Sequence, residues 1–277
     1  MTIPHQEDLK LPDYADLSVV YAEPISLDLK APYMGWTALR HTALGCISMR
    51  PGDVMRHTVF IIATLAALLA PTASARAGMV DDCLQVHYLD PKVSGCTAVI
   101  RSGQWQGKEL AWAYNNRGLA YTYLGNPARA IEDYDQALRL DPGLVVAYLG
   151  RGVVYNALGL YRRAIKDYDE ALRLDPDDAA AYRNRGISYG TLGEYRRAIE
   201  DFDQALRLDP DSAKAYYNRG RAHDLLAWDL YLKGHNTEAL GNVDRSLSDR
   251  PDSLDAIDTR AHVLAALGRM RFATRIR

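Results

Sequence analysis

Between residues 111 and 140 apolar and polar positions alternate with the period of a helix. Tyr114, Leu119, Tyr121 and Leu124 share one face of a first segment, and Ala130, Ile131, Tyr134, Ala137 and Leu138 share one face of a second. The spacing predicts helix A over 111–124 and helix B over 127–140. Gly125 stands where a left-handed residue can end helix A. Asp141-Pro142 ends helix B, because proline cannot donate to the helical ladder and disfavours helix at the residue before it. Gly118, Ala130 and Ala137 are small, so the two helices approach closely and the aromatics fill the gaps left between them.

The pattern then repeats. Tyr114, Tyr148, Tyr182 and Tyr216 are spaced by 34, as are Gly118, Gly152, Gly186 and Gly220. AIEDYDQALRLDP (130–142), AIKDYDEALRLDP (164–176) and AIEDFDQALRLDP (198–210) are near copies. A fixed period of this length means stacked units, none of which buries its apolar face alone. The fold class is therefore all-α, an α-solenoid of antiparallel helix pairs. Such a stack offers a surface for holding other molecules rather than a pocket for chemistry.

Tyr114, Gly118, Tyr121, Gly125, Ala130, Tyr134, Ala137 and Pro142, with their equivalents one and two periods on, make the chain resemble the tetratricopeptide repeat family, in its bacterial exported form. The resemblance covers 111–253 as four repeats and 254–277 as a partial fifth. It implies a right-handed superhelix whose A helices line a concave groove for a peptide or partner protein. In relatives one asparagine place in helix A faces that groove. Here it holds Asn116, Asn184 and Asn218, a ladder with a rung missing at Gly150; an amide offers both a donor and an acceptor to a peptide unit. The alternative is a solvated asparagine or a bond between helices. Trp112, Leu119, Tyr123, Val146, Leu149 and Val153 make the first half of the groove apolar, and Arg183, Lys214, Tyr217 and Arg221 make the later half basic. A ligand with a hydrophobic and an acidic segment would fit. Leu119, Gly150 and Ala180 occupy places where some relatives clamp a C-terminal carboxylate, so that clamp is not expected.

Arg117, Arg151, Arg185 and Arg219 stand where many relatives carry leucine. Helix B holds an acid at one fixed place, Asp133, Asp167 and Asp201, with Asn242 in the fourth unit. An arginine–aspartate pair within each unit is expected, since a partly buried guanidinium needs a charged partner.

Three regions depart from the period. In the fourth unit seven residues are inserted before Gly234. That is about two helical turns, so a lengthened helix A keeps its buried face in phase and reaches about 10 Å beyond its neighbours. The added part carries Trp228 and Tyr231, either as a contact for a partner or as packing against the next unit. In the fifth unit Leu254–Gly268 fits a helix A, but Arg269–Arg277 is too short and too basic for a helix B. The array would end on an exposed apolar face, a route to a homodimer. Residues 78–110 read as an N-terminal helical cap, with a short helix over Asp81–Tyr88 and another over Pro91–Arg101.

Met55-Arg56-His57, the apolar run Val59–Ala70 and the small residues of Ala75-Arg76-Ala77 form the pattern of a signal peptide over 55–77. The run is well short of the ~20 residues that span a bilayer. Residues 1–54 show no periodicity and read as an upstream extension that is not native. The alternative is a genuine extension followed by a retained membrane anchor. After cleavage Cys83 and Cys96 remain, and an even pair in an exported chain favours a disulfide over two buried thiols.

The formal net charge of −2 argues against a nucleic-acid partner. HExxH, GxSxG and phosphate-loop patterns are missing, so neither catalysis nor a cofactor or metal is expected. The acidic turns after each helix B read as connections between units rather than calcium loops. His87, His223, His235 and His262 are scattered, and His223 falls in the slot of Tyr121, Tyr155 and Tyr189. The sequence thus predicts a non-enzymatic scaffold, periplasmic or secreted, that binds a partner protein or peptide and meets a membrane only if the signal segment is kept. The alternatives are a membrane-anchored or cytosolic adaptor and a self-assembling structural protein.

Overall fold

The computed structural model describes residues 73–84 and 89–268. Residues 1–72, with most of the signal segment and Cys46, residues 85–88, with His87, and the basic stretch 269–277 lie outside the described residues. Among the described residues every regular element is a helix: α1 (Ala73–Leu84), α2 (Leu89–Arg101), α3 (Lys108–Tyr123), α4 (Pro127–Leu140), α5 (Val145–Ala157), α6 (Tyr161–Leu174), α7 (Ala179–Thr191), α8 (Tyr195–Leu208), α9 (Ala213–Leu232), α10 (Asn236–Asp249) and α11 (Leu254–Ala266). The helices pack in consecutive pairs, α3 with α4 through α9 with α10, and α11 opens a fifth unit. Successive A helices (α3, α5, α7, α9, α11) pack against one another more closely than successive B helices do. The A helices therefore line the inner face of the stack.

Each pair closes around an aromatic. Tyr134, Tyr168 and Phe202 are fully buried, one period apart. The glycine of helix A lies against each ring: a Cβ on Gly152 would come within 2.6 Å of the Tyr168 ring, and one on Gly186 within 2.8 Å of Phe202. These glycines are required by close approach. Gly125 and Gly159 are required by conformation, since their φ values of 68° and 73° end α3 and α5 in the left-handed region. Pro127 starts α4 where its missing N–H costs nothing, and the Asn126 side chain accepts from the Arg129 N–H at 3.3 Å.

The arginines build a ladder through the stack. Arg117 donates to Asp133 through Nε (2.8 Å) and Nη2 (2.7 Å). Arg151 does the same to Asp167 and Arg185 to Asp201, so the expected pair is present in three units. Each guanidinium also reaches back one unit. Arg151 donates to Asp135, Arg185 to Asp169 at 2.7 Å, Arg219 to Asp203 at 2.7 Å and Arg260 to Asp244 at 2.6 Å. Arg117, at the start, reaches Thr97 of α2 instead. Four of these arginines also stack over the tyrosine three residues earlier, Tyr114, Tyr148, Tyr182 and Tyr216. Burial pushes the Asp167 and Asp201 carboxyls up, and the bidentate guanidinium of each pair opposes that shift.

The fourth unit corrects the expectation for Arg219. Its Nε and Nη2 bind Asp249 at 2.8 and 2.7 Å, not Asn242. Gly220 shifts in step: its Cβ position is 2.9 Å from Arg250 Cδ and 3.0 Å from Asp249 Cβ rather than against an aromatic ring. The cause is geometric. Helix α9 is 20 residues long, against 14 for its partner α10. Seven residues added to one arm of a hairpin move its first turns seven residues from the apex, so their partners lie seven residues further along the other arm. The separation therefore grows from 16 to 30. Nearer the apex, Ala227 and Val243 repack in the ordinary register within one buried cluster. Asn242 accepts from His223 Nδ1 instead, at 3.0 Å.

In the cap, the first helix runs over Ala73–Leu84, earlier than the segment 81–88 read from the sequence, and α2 includes Pro91–Arg101. The Cys83 and Cys96 sulfurs lie 1.99 Å apart where α1 packs against α2. At the other end Leu254 and Ile257 on α11 are 79% and 48% exposed.

Candidate functional site: the inner face of the stack

An A helix turns one stripe away from its B helix. In α3 that stripe runs through Trp112, Asn116, Leu119 and Tyr123; the corresponding places are Val146, Gly150, Val153 and Ala157 in α5, and Ala180, Asn184, Ile187 and Thr191 in α7. In α9 they are Lys214, Asn218, Arg221 and Leu225. Because A helices neighbour one another, these stripes lie side by side on the inner face.

Trp112, Asn116, Tyr123 and Asn218 are half-buried there, and Lys214 and Arg221 are exposed. Three residues read as groove-lining are core residues instead. Leu149, 2% exposed, packs with Ala164, Tyr168, Ala171 and Ala181. Leu119 is buried at 6%, and Arg183 at 7%. Burial holds the Arg183 guanidinium below its usual range, with Asp178 and Asp209 offsetting part of that. The reason is the width of the apolar face: a helix packed on its own partner and on the preceding and following A helices turns more than half its circumference inward.

The asparagine ladder is uneven. A Cβ at Gly150 would meet the tip of the Tyr134 ring at 2.5 Å, so no side chain fits in the missing rung. Asn184 turns its amide nitrogen into the protein, where it has no hydrogen-bond partner. Asn115, the residue before the first rung, is 2% exposed with an unpartnered Oδ1. The sequence missed the acidic end of the face: Asp255 and Asp258 of α11 are exposed at places matching Lys214 and Tyr217. The basic stretch at α9 is thus followed by an acidic one.

A cleft of about 660 Å³ lies between α2 and the first helix pair. Asp90, Ser94, Thr97 and Arg101 of α2 form one side, and Tyr121 and Arg129 the other. Among the described residues no group of three or more His, Cys, Asp or Glu could hold a metal ion, and no helix is long and apolar enough to cross a membrane.

Family models described as tetratricopeptide repeat match residues 111–144 and 153–223. The chain is a tetratricopeptide repeat protein. Its stack is similar to that of a tetratricopeptide repeat protein from Parabacteroides merdae ATCC 43184, at 21% identity and TM-score 0.50, over 71% of this chain and 72% of that one. It is similar also to MamA 41-end from Desulfovibrio magneticus RS-1, at 21% identity and TM-score 0.51, over 65% of this chain and 97% of that one. At this identity both likenesses concern the fold. No curated protein matches the sequence. Three arginines of this tetratricopeptide repeat protein, Arg151, Arg185 and Arg219, are each held by two carboxylates.

Proposed function

We propose that this tetratricopeptide repeat protein is a non-enzymatic scaffold that holds a segment of a partner protein against the inner face of its A helices. The observation that carries the reading is the set of half-buried apolar and amide side chains that α3, α5 and α7 bring to the inner face, followed by exposed charge on α9 and α11. Half-exposed apolar groups beside amides suit an extended peptide, whose side chains seek the former and whose backbone seeks the latter. The test compares capture of partners from native cells by three forms of the protein. Val153→Glu with Ile187→Glu on the inner face should abolish capture, while Lys166→Glu on the outer α6 should retain it, both with unchanged helix content. Equal capture by all three removes the reading.

We also propose that the protein works outside the cytoplasm, after cleavage near Ala77, with a Cys83–Cys96 disulfide. The signal pattern over 55–77 and the juxtaposed sulfurs support this. Intact mass of native protein under non-reducing conditions tests it. A chain starting at Gly78 and lighter by two hydrogens agrees; a chain retaining 55–77 with two thiols does not. The exposed Leu254 and Ile257 favour self-association through α11 as a second reading, tested by whether Ile257→Glu lowers a concentration-dependent mass in solution.

A further inference from the structure

Near its end the lengthened α9 carries an aromatic cluster that the stack does not fully bury. Trp228 is 38% exposed. Its ring lies 5.3 Å from Tyr231 and meets His262 of α11 edge-on at 5.6 Å, and Tyr231 and His262 are 6.1 Å apart. The indole is thus contacted by two rings, Tyr231 on α9 and His262 on α11. One turn before His262, Asp258 places a carboxylate oxygen 3.5 Å from His262 Nδ1, with its side chain 71% exposed.

A ring beside a carboxylate is the constellation this protein uses for its own arginines. Arg117 stacks 5.5 Å over Tyr114 while binding Asp133, and Arg219 stacks 5.3 Å over Tyr216 while binding Asp249. At Trp228 the ring is present and the Asp258 carboxylate stands one residue away, against His262, and among the described residues no guanidinium of the chain stacks on the indole. The nearby Lys233 is bound to Asp229 at 2.6 Å, and Arg260 to Asp244. Indole presents the strongest ring face for a cation, and guanidinium both stacks flat and forks onto carboxylate.

We propose that Trp228, Tyr231, His262 and Asp258 form a docking platform for an arginine side chain of the bound partner. The proposal rests on the reading that a partner lies on the inner face, and it adds the chemistry of one partner residue. The cation lies about two turns beyond the basic Arg221 on α9, so the partner's acidic and basic side chains engage different turns of that helix.

The platform is tested by nitrogen-15 NMR of the tryptophan indoles in the full chain, the Trp228 signal being assigned with Trp228→Phe. The probe is acetyl-(Gly-Arg)3-amide, with acetyl-(Gly-citrulline)3-amide as its uncharged match. The arginine peptide should shift the Trp228 indole saturably and the citrulline peptide should not. Asp258→Asn should weaken the binding read at Trp228 threefold to fivefold, while Lys166→Glu on the outer α6 leaves it unchanged. No shift at Trp228, or an equal shift by both peptides, overturns the platform. If replacing the arginines of 269–277 by glutamine moves the Trp228 indole without peptide, the occupant is the chain's own tail and the partner assignment falls. If Val153→Glu with Ile187→Glu abolishes capture of native partners while Trp228→Ala and Asp258→Asn do not, the inner-face reading stands and the platform fails alone.

Discussion

Arg219 holds Asp249 in a bidentate pair across thirty residues, whereas Arg117, Arg151 and Arg185 each hold an aspartate sixteen residues on. The doubling of a seven-residue insertion into a fourteen-residue change of partner is what an antiparallel hairpin requires when one arm is lengthened. Helix α9 consequently carries two registers. Arg219-Gly220 packs on Asp249-Arg250, and Leu226-Ala227 packs nearer the apex with Val243 and its neighbours.

This register makes a prediction that the family pattern alone would reverse. Asp249→Ala should destabilise by about 2 kcal/mol, because it leaves a partly buried guanidinium with only Asp203. Deleting residues 220–226 should make Asp249→Ala nearly neutral and make Asn242→Asp stabilising. Denaturant midpoints of the parent, Asp249→Ala, the deletion, and the deletion carrying either Asp249→Ala or Asn242→Asp decide it. An Asp249 effect that survives the deletion contradicts the two-register account.

Gly150 tests the missing rung. Gly150→Ala should cost about 1–3 kcal/mol, because its Cβ meets the Tyr134 ring at 2.5 Å in a packed core. Shortening the opposing side chain, Tyr134→Leu, should make the Gly150→Ala step cheaper than it is in the parent. Additive losses in a double-mutant cycle would mean that the two residues do not meet.

The cap depends on its two cysteines if they are bonded in the native protein. Closing a loop with a sequence separation of 13 is worth roughly 3 kcal/mol. Reductant should lower the melting temperature of the parent to that of Cys83→Ser with Cys96→Ser, and leave the double variant unmoved. A parent indifferent to reductant contains thiols.

His223 makes stability depend on pH. Burial lowers its pKa, against the favourable bond to Asn242. The amide of Asn242 donates from Nδ2 to the Glu238 carbonyl, so its Oδ1 faces His223 and the neutral ring carries its proton on Nδ1. With the folded pKa below the unfolded value, the unfolded chain takes up the proton first. Stability is therefore full above the unfolded histidine pKa of about 6.5 and falls as pH drops through it. The parent should lose more melting temperature between pH 7.5 and 5.5 than His223→Asn does. Parallel losses would show that other groups account for the slope.

The stack was legible in the sequence because each unit solves the same packing problem with the same residues, so glycine, aromatic and arginine recur at one spacing. The backward half of the ladder was legible too. Asp135, Asp169 and Asp203 keep the period, and Asp244 and Arg260 keep it once the seven inserted residues are added. A pairing confined to single units does not contain it. The partner of Arg219 could not be found by spacing, since an in-frame Asn242 occupies the expected place while the hairpin apex has moved. The inner face was only half legible. Leu149 and Arg183 share a helical stripe with exposed positions, and their burial depends on neighbouring helices that a single-helix pattern does not contain.

The central claim is that a partner lies on the inner face, and the most direct measurement places a photo-cross-linking residue at Ile187 on α7 or at Lys166 on the outer α6, in cells that make the protein. Partner cross-links from position 187, with few or none from 166, are the predicted result. Cross-links from 166 with none from 187 would contradict the account.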